Sequence, residues 1–138
     1  MAILTYNSSY MSTAARILIA EDEPPLLRAL SLKLTSAGYS VDTVSRGDDC
    51  LEKLRAGSYD LLLLDVIMPG MNGFEVLQAI QQENIAVRTF VLSNLGQDED
   101  FKKARELGAE HYIVKAVTPL ADIVNDVKDF FSPDAQGG

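Results

Sequence analysis

Four short apolar runs in this 138-residue chain each stop at polar residues able to do chemistry. Ile17 to Ala20 runs into Glu21-Asp22-Glu23, Leu61 to Leu64 into Asp65, the run ending at Leu92 into Ser93-Asn94, and His111 to Val114 into Lys115. Two or three carboxylates brought close together repel one another, and either protonation or a hard cation relieves them. Mg²⁺ is the natural choice, since it prefers oxygen ligands, takes one or two carboxylates and fills its octahedron with water and phosphate oxygens. A carboxylate, a hydroxyl, a lysine and Mg²⁺ in one cleft neutralise the charge on a transferring phosphoryl group. The implied chemistry is phosphoryl transfer, with an aspartate as the nucleophile.

For these residues to meet, the apolar runs must be strands of one sheet. From Arg16 onward, runs rich in Ile, Val and Leu alternate with stretches whose apolar residues recur at helical spacing, which is the pattern of βαβ units. The expected strands are 16–20, 40–45, 60–64, 87–92 and 111–114, with five helices between and after them, an α/β class. Right-handed crossovers place all the carboxyl ends on one edge, where ligands of open parallel sheets bind. Leu61 to Leu64, apolar on consecutive residues, reads as a central strand covered on both faces. The mixed segment from Ser40 to Val44 and the strand carrying His111 and Tyr112 read as edges. The first helix is expected from Pro24-Pro25 to Gly38, with a core stripe of Leu27, Leu30, Leu34 and Ala37. The last follows Pro119, its stripe being Leu120, Ile123, Val124, Val127, Phe130 and Phe131. Asp98-Glu99-Asp100 should charge the start of the fourth helix, His111 should lie at the surface, and Cys50 should line the core with Leu51 and Leu54.

Composition narrows the class further. A chain of this length, 47% apolar, makes one folded domain. A net charge of -8 repels phosphates and anionic lipids, so neither direct nucleic acid binding nor membrane association is expected. One Cys and one His exclude an intramolecular disulfide and the usual zinc site, and a reducing, cytoplasmic setting fits. Residues 1–15 are uncharged and read as a loose extension in which Met11 is an alternative start; 132–138 read as a short tail.

Taken together, Ile17-Leu18-Ile19-Ala20-Glu21-Asp22-Glu23, Asp65-Val66-Ile67-Met68-Pro69-Gly70-Met71-Asn72-Gly73 after four leucines, Ser93, and Gly108 to Lys115 resemble the receiver domain of two-component response regulators. The resemblance covers residues 16–131. It implies a flavodoxin-like, doubly wound five-stranded parallel sheet of order 2-1-3-4-5, and a signalling phosphoacceptor rather than a turnover enzyme. It makes Asp65 the phosphoacceptor for a histidine kinase or histidine phosphotransfer protein. Glu21, Asp22, Asp65 and the backbone carbonyl of Ile67 become Mg²⁺ ligands, Glu21 acting through a water. Lys115 and Ser93 hold phosphoryl oxygens, and Tyr112 changes rotamer when Ser93 moves. The output face, for a homodimer or an effector, is the fourth helix, fifth strand and fifth helix.

This chain also departs from the family pattern. Ala116 follows Lys115 where the family usually has proline, so a trans link and a reshaped loop before the last helix are expected. Asn94 replaces a usually small residue. Ile67 and Leu95 are apolar where the family tunes hydrolysis, which predicts slow autodephosphorylation. The rival readings are an Asp-nucleophile phosphatase, which lacks its second aspartate because Ile67 stands there, an interaction module that is never phosphorylated, and a flavodoxin-like binder, for which no phosphate-cradling loop follows the first strand.

Overall fold

A computed structural model describes residues 14–132. Five parallel strands, β1 (Arg16–Ala20), β2 (Ser40–Val44), β3 (Leu61–Leu64), β4 (Arg88–Ser93) and β5 (His111–Val114), form one sheet of order β2-β1-β3-β4-β5. The helices between and after them are α1 (Pro24–Ser36), α2 (Gly47–Ala56), α3 (Gly73–Gln82), α4 (Asp98–Glu106) and α5 (Leu120–Phe131). The expected class, order and helix number are all present, with β3 at the centre and β2 and β5 at the edges.

The leucine run explains the layering. Because side chains alternate along a strand, Leu62 and Leu64 enter one core with Leu18, Ala20 and Val91, facing Cys50 and Leu54 of α2, Val76, Leu77 and Ile80 of α3, and Ala104 of α4. Leu61 and Leu63 enter the other with Ile17, Ile19, Phe90 and Leu92, facing Leu30 and Leu34 of α1 and Ile123, Val124 and Val127 of α5. All four leucines of β3 are fully buried. Among the described residues, no helix is long and apolar enough to cross a membrane.

Several expected boundaries shift by a residue or more, each for a local reason. β2 stops at Val44 rather than Ser45 because its partner β1 ends opposite, at Ala20. β3 starts at Leu61 because the Asp60 carboxylate caps the strand, accepting the Arg16 N–H at 2.8 Å. β4 starts one residue late, since the Val87 N–H turns back to the Ile85 carbonyl, and it gains Ser93, which pairs with Val114. α1 ends at Ser36, not Gly38. The Gly38 N–H returns to Thr35 and the Tyr39 N–H to Leu34, a Schellman cap that requires the positive φ of +103° at Gly38. Ala37 is therefore exposed outside the core stripe, and Leu27 is only half-buried. The fifteen-residue extension and the tail from 132 fall almost wholly outside the described residues.

The segment after β3, which carries Asp65, is seated on the start of α2. The Gly47 N–H donates to the Pro69 carbonyl at 3.0 Å, and a Cβ at Gly47 would lie 1.9 Å from the Met71 carbonyl oxygen. Gly47→Ala is therefore expected to destabilise the fold by about 2 kcal/mol or more, as overpacking against backbone does, read by urea unfolding. An unchanged midpoint would show that the 65–72 segment is free to move away.

Candidate functional site

The parallel register places Glu21, Asp65, Ser93 and Lys115 along the carboxyl edge of β1, β3, β4 and β5. Glu21 and Asp65 are buried, at 0% and 2% exposure, while Asp22 is exposed. Carboxylate oxygens of Glu21, Asp22 and Asp65 lie within 4.8 Å of one another. The acids are thus gathered, as the strand-end pattern predicts.

Lys115 is the centre of the cluster. Its ammonium donates to Glu21 Oε1 at 3.1 Å, to Asp65 Oδ2 at 3.1 Å and to the Glu23 carboxylate. Asp65 is fixed from the other side, its Oδ1 accepting the Ile67 N–H at 3.2 Å and its own N–H donating to the Ala20 carbonyl at 2.9 Å. Burial and the nearby Glu21 charge push the Asp65 carboxyl up to about 7, against the pull of Lys115. Burial also raises Glu21, opposed by the Glu23 N–H and Lys115. At Lys115 burial disfavours the ammonium, but Glu23, Asp65 and Glu21 outweigh it and hold the group above its ordinary value.

Ser93, fully buried, accepts the Leu95 N–H on its Oγ at 3.2 Å. The Tyr112 hydroxyl donates to the Leu95 carbonyl at 2.5 Å, and its ring meets Phe101 of α4 edge-on at 4.7 Å and 78°. Both backbone groups of one residue therefore join Ser93 to Tyr112. Burial raises the Tyr112 phenol, and a contact with the Ser93 hydroxyl opposes it. Lys115 begins a short 3₁₀ turn, Lys115–Val117, and no cis peptide bond occurs among the described residues. This is the reshaped trans loop expected from Ala116.

Glu23, at the entrance to α1 and not among the site residues expected from the sequence, also joins the cluster: its carboxylate reaches Lys115. The signal was present, because Glu21 and Glu23 share parity in an extended exit from β1 and so turn the same way. The bridging backbone of Leu95 had no side-chain signal.

The raised Asp65 value makes stability depend on pH. The folded protein holds this proton until about 7 while the unfolded chain releases it near the ordinary 3.8, so the strain is absent in acid, grows between those values and is complete above them. The metal-free protein should lose stability over that interval. Asp65→Asn should flatten the loss and exceed wild type by about 2 kcal/mol at pH near 8, measured by urea unfolding. A wild-type profile as flat as that of the variant would contradict this account.

Comparison with known proteins agrees with this geometry. Residues 17–128 match the response regulator receiver domain family. The transcriptional regulatory protein DltR of Streptococcus agalactiae is 37% identical over 100 residues, 72% of this chain and 45% of the relative. The response regulator ArlR of Staphylococcus aureus is 38% identical over the same shares, so the chain spans about half the length of these relatives. A CheY-like receiver domain protein from Methanospirillum hungatei superposes with a TM-score of 0.80 at 23% identity, covering 91% of this chain and 100% of that one. The response regulator TrrA of Thermotoga maritima, solved in complex with Mg(2+)-BeF, gives 0.72 at 30% identity, covering 83% and 97%. With its sheet order, acidic cluster and matched residues, this chain belongs to the receiver domain family of two-component response regulators, a phosphoacceptor signalling domain.

Proposed function

We propose that Asp65 is the phosphoacceptor, taking a phosphoryl group from the phosphohistidine of a histidine kinase or histidine phosphotransfer protein. The reading is carried by one observation: Asp65 is buried at the carboxyl edge of the central strand, with one oxygen held by Ile67 and the other by Lys115. In the transfer, an Asp65 carboxylate oxygen attacks phosphorus, and the new O–P bond forms as the P–N bond to the donor breaks. The imidazole leaves with that bonding pair, its ring protonated. Lys115 then holds one phosphoryl oxygen, and the Ser93 hydroxyl donates to another.

The cluster of Glu21, Asp22 and Asp65 fits Mg²⁺: it is all oxygen, three carboxylates in mutual reach, with exposed Asp22 leaving room for water. Those side chains, with the Ile67 backbone carbonyl, would hold the ion, Glu21 through a water. When bound, Mg²⁺ offsets the carboxylate repulsion and withdraws charge from phosphoryl oxygens. The Mg(2+)-BeF complex of the Thermotoga relative supports this choice.

The switch follows from Leu95. Adding about -2 of charge at Asp65 draws the Ser93 hydroxyl towards it, freeing the Leu95 N–H and loosening the Leu95 carbonyl that anchors Tyr112. Tyr112 then moves against Phe101, and the face formed by α4, β5 and α5 presents a changed surface to a second copy or an effector. The domain, spanning residues 16–131, works in the cytoplasm and meets proteins rather than nucleic acid or membrane, in keeping with its charge of -8. It signals rather than turning over a substrate, since Ile67 stands where an Asp-nucleophile phosphatase carries its second aspartate, and its acyl phosphate is hydrolysed slowly, since neither Ile67 nor Leu95 can orient an attacking water.

Incubation with acetyl phosphate or phosphoramidate and Mg²⁺ should add one phosphoryl mass in intact-mass spectrometry, and Asp65→Ala should remove it. No adduct on the wild type would overturn the reading and favour an interaction module that is never phosphorylated. The adduct should persist for minutes or longer with Mg²⁺ present; decay within seconds would refute the slow hydrolysis. The NMR signals of the Tyr112 ring should shift on phosphorylation, and an unchanged ring would break the proposed link from Ser93.

A further inference from the structure

An ammonium has three N–H donors, and that of Lys115 meets three carboxylates, Glu21, Glu23 and Asp65. Every donor is engaged, so a phosphoryl oxygen arriving at Lys115 must displace a carboxylate. The three are not equally releasable. Before the bond to phosphorus forms, Glu21 and Asp65, with side chains 0% and 3% exposed, have no water to turn to if Lys115 lets them go, whereas Glu23 is 54% exposed and would return to water.

Glu23 is also free of other duties and aimed by the chain. It occupies the N-cap position of α1, where a side chain ordinarily caps the helix, yet it makes no such bond. Its backbone is extended, with φ -88° and ψ 107°, and its N–H donates to Glu21 Oε2 at 2.9 Å. Pro24 and Pro25 stiffen the residues that follow.

The geometry points to Glu23 as a placeholder on Lys115, a positioning residue that occupies the N–H later taken by a phosphoryl oxygen. This rests on Asp65 being the phosphoacceptor. Glu23 keeps the ammonium oriented in the unphosphorylated protein and slows phosphorylation by competing for it.

The test compares wild type with Glu23→Gln and Glu23→Asp. Phosphorylation by phosphoramidate with Mg²⁺ is followed by intact mass, and proton exchange of the Lys115 ammonium by ¹⁵N NMR without added metal. Gln removes the charge at unchanged size, while Asp keeps the charge but is one methylene too short to reach. Both variants should be phosphorylated about two- to fivefold faster, the range an exposed ion pair spans. Both should also exchange the Lys115 protons faster. Acceleration by Gln alone would show a charge effect at the mouth of the site and overturn the placeholder. Equal rates in all three proteins, or unchanged proton exchange, would overturn it as well. Absence of any adduct on the wild type is a different result, in which the phosphoacceptor reading fails and the placeholder falls with it.

Discussion

One ammonium holds two buried carboxylates together at the carboxyl edge of this sheet, and the rest of the site is arranged around that constraint. Glu21 and Asp65 stand on adjacent strands with almost no access to water. Two such charges cannot both persist without compensation. Lys115 supplies one positive charge against them, and Asp65 still lies near 7 because burial and Glu21 together outweigh it. The unphosphorylated site is therefore under electrostatic strain, and a divalent cation or a proton relaxes it. A carboxylate poised in this way is only partly ionised near neutral pH until a cation is present. The phosphoacceptor role proposed for Asp65 and the fit of its surroundings to a metal thus have one physical origin.

The fold delivers this arrangement through β3. Four consecutive leucines bury alternate side chains in two separate cores, leaving the strand no polar face, and pairing on both sides sets its register, Leu61 lying opposite Ile17 of β1 and Arg88 of β4. Asp65 is the first polar residue after that run, so its position is set by packing on both sides of the sheet. The segment beyond it is held down as tightly. Gly73 passes so close to Asp65 that a Cβ there would lie 2.5 Å from its carbonyl oxygen, and Gly47 does the same for Met71. These glycines serve close approach, since neither has a positive φ among the described residues.

Much of this was legible from residue order alone, for a definite reason. In a parallel sheet every strand ends at the same edge, so a polar residue closing each apolar run predicts a common site without knowledge of any contact. The central place of β3 and the edge places of β2 and β5 follow from the same period-two reasoning. What was not legible depends on neighbours. Ser45 lacks a partner because β1 is short, Ala37 leaves the core because Gly38 turns the chain, and Leu95 acts through backbone groups that every residue possesses. Glu23 lies between these cases, since its parity with Glu21 indicated its direction but not its partner.

The turn after Lys115 shows how a departure from the family pattern is absorbed. Without a proline to fix its direction, the chain forms the 3₁₀ turn Lys115–Val117, and the Thr118 hydroxyl donates back to the Val114 carbonyl at 2.8 Å. That bond ties the end of β5 to the entrance of α5 across the residue that carries the ammonium. Its local rigidity therefore comes from a side-chain bond rather than from a restricted ring. The ammonium itself is then oriented by its carboxylates, two buried and fixed, one exposed and exchangeable. Constraint at the backbone and exchange at the third partner are compatible because they act at opposite ends of one long side chain. Lys115 can keep its place in the fold while its ammonium changes partners.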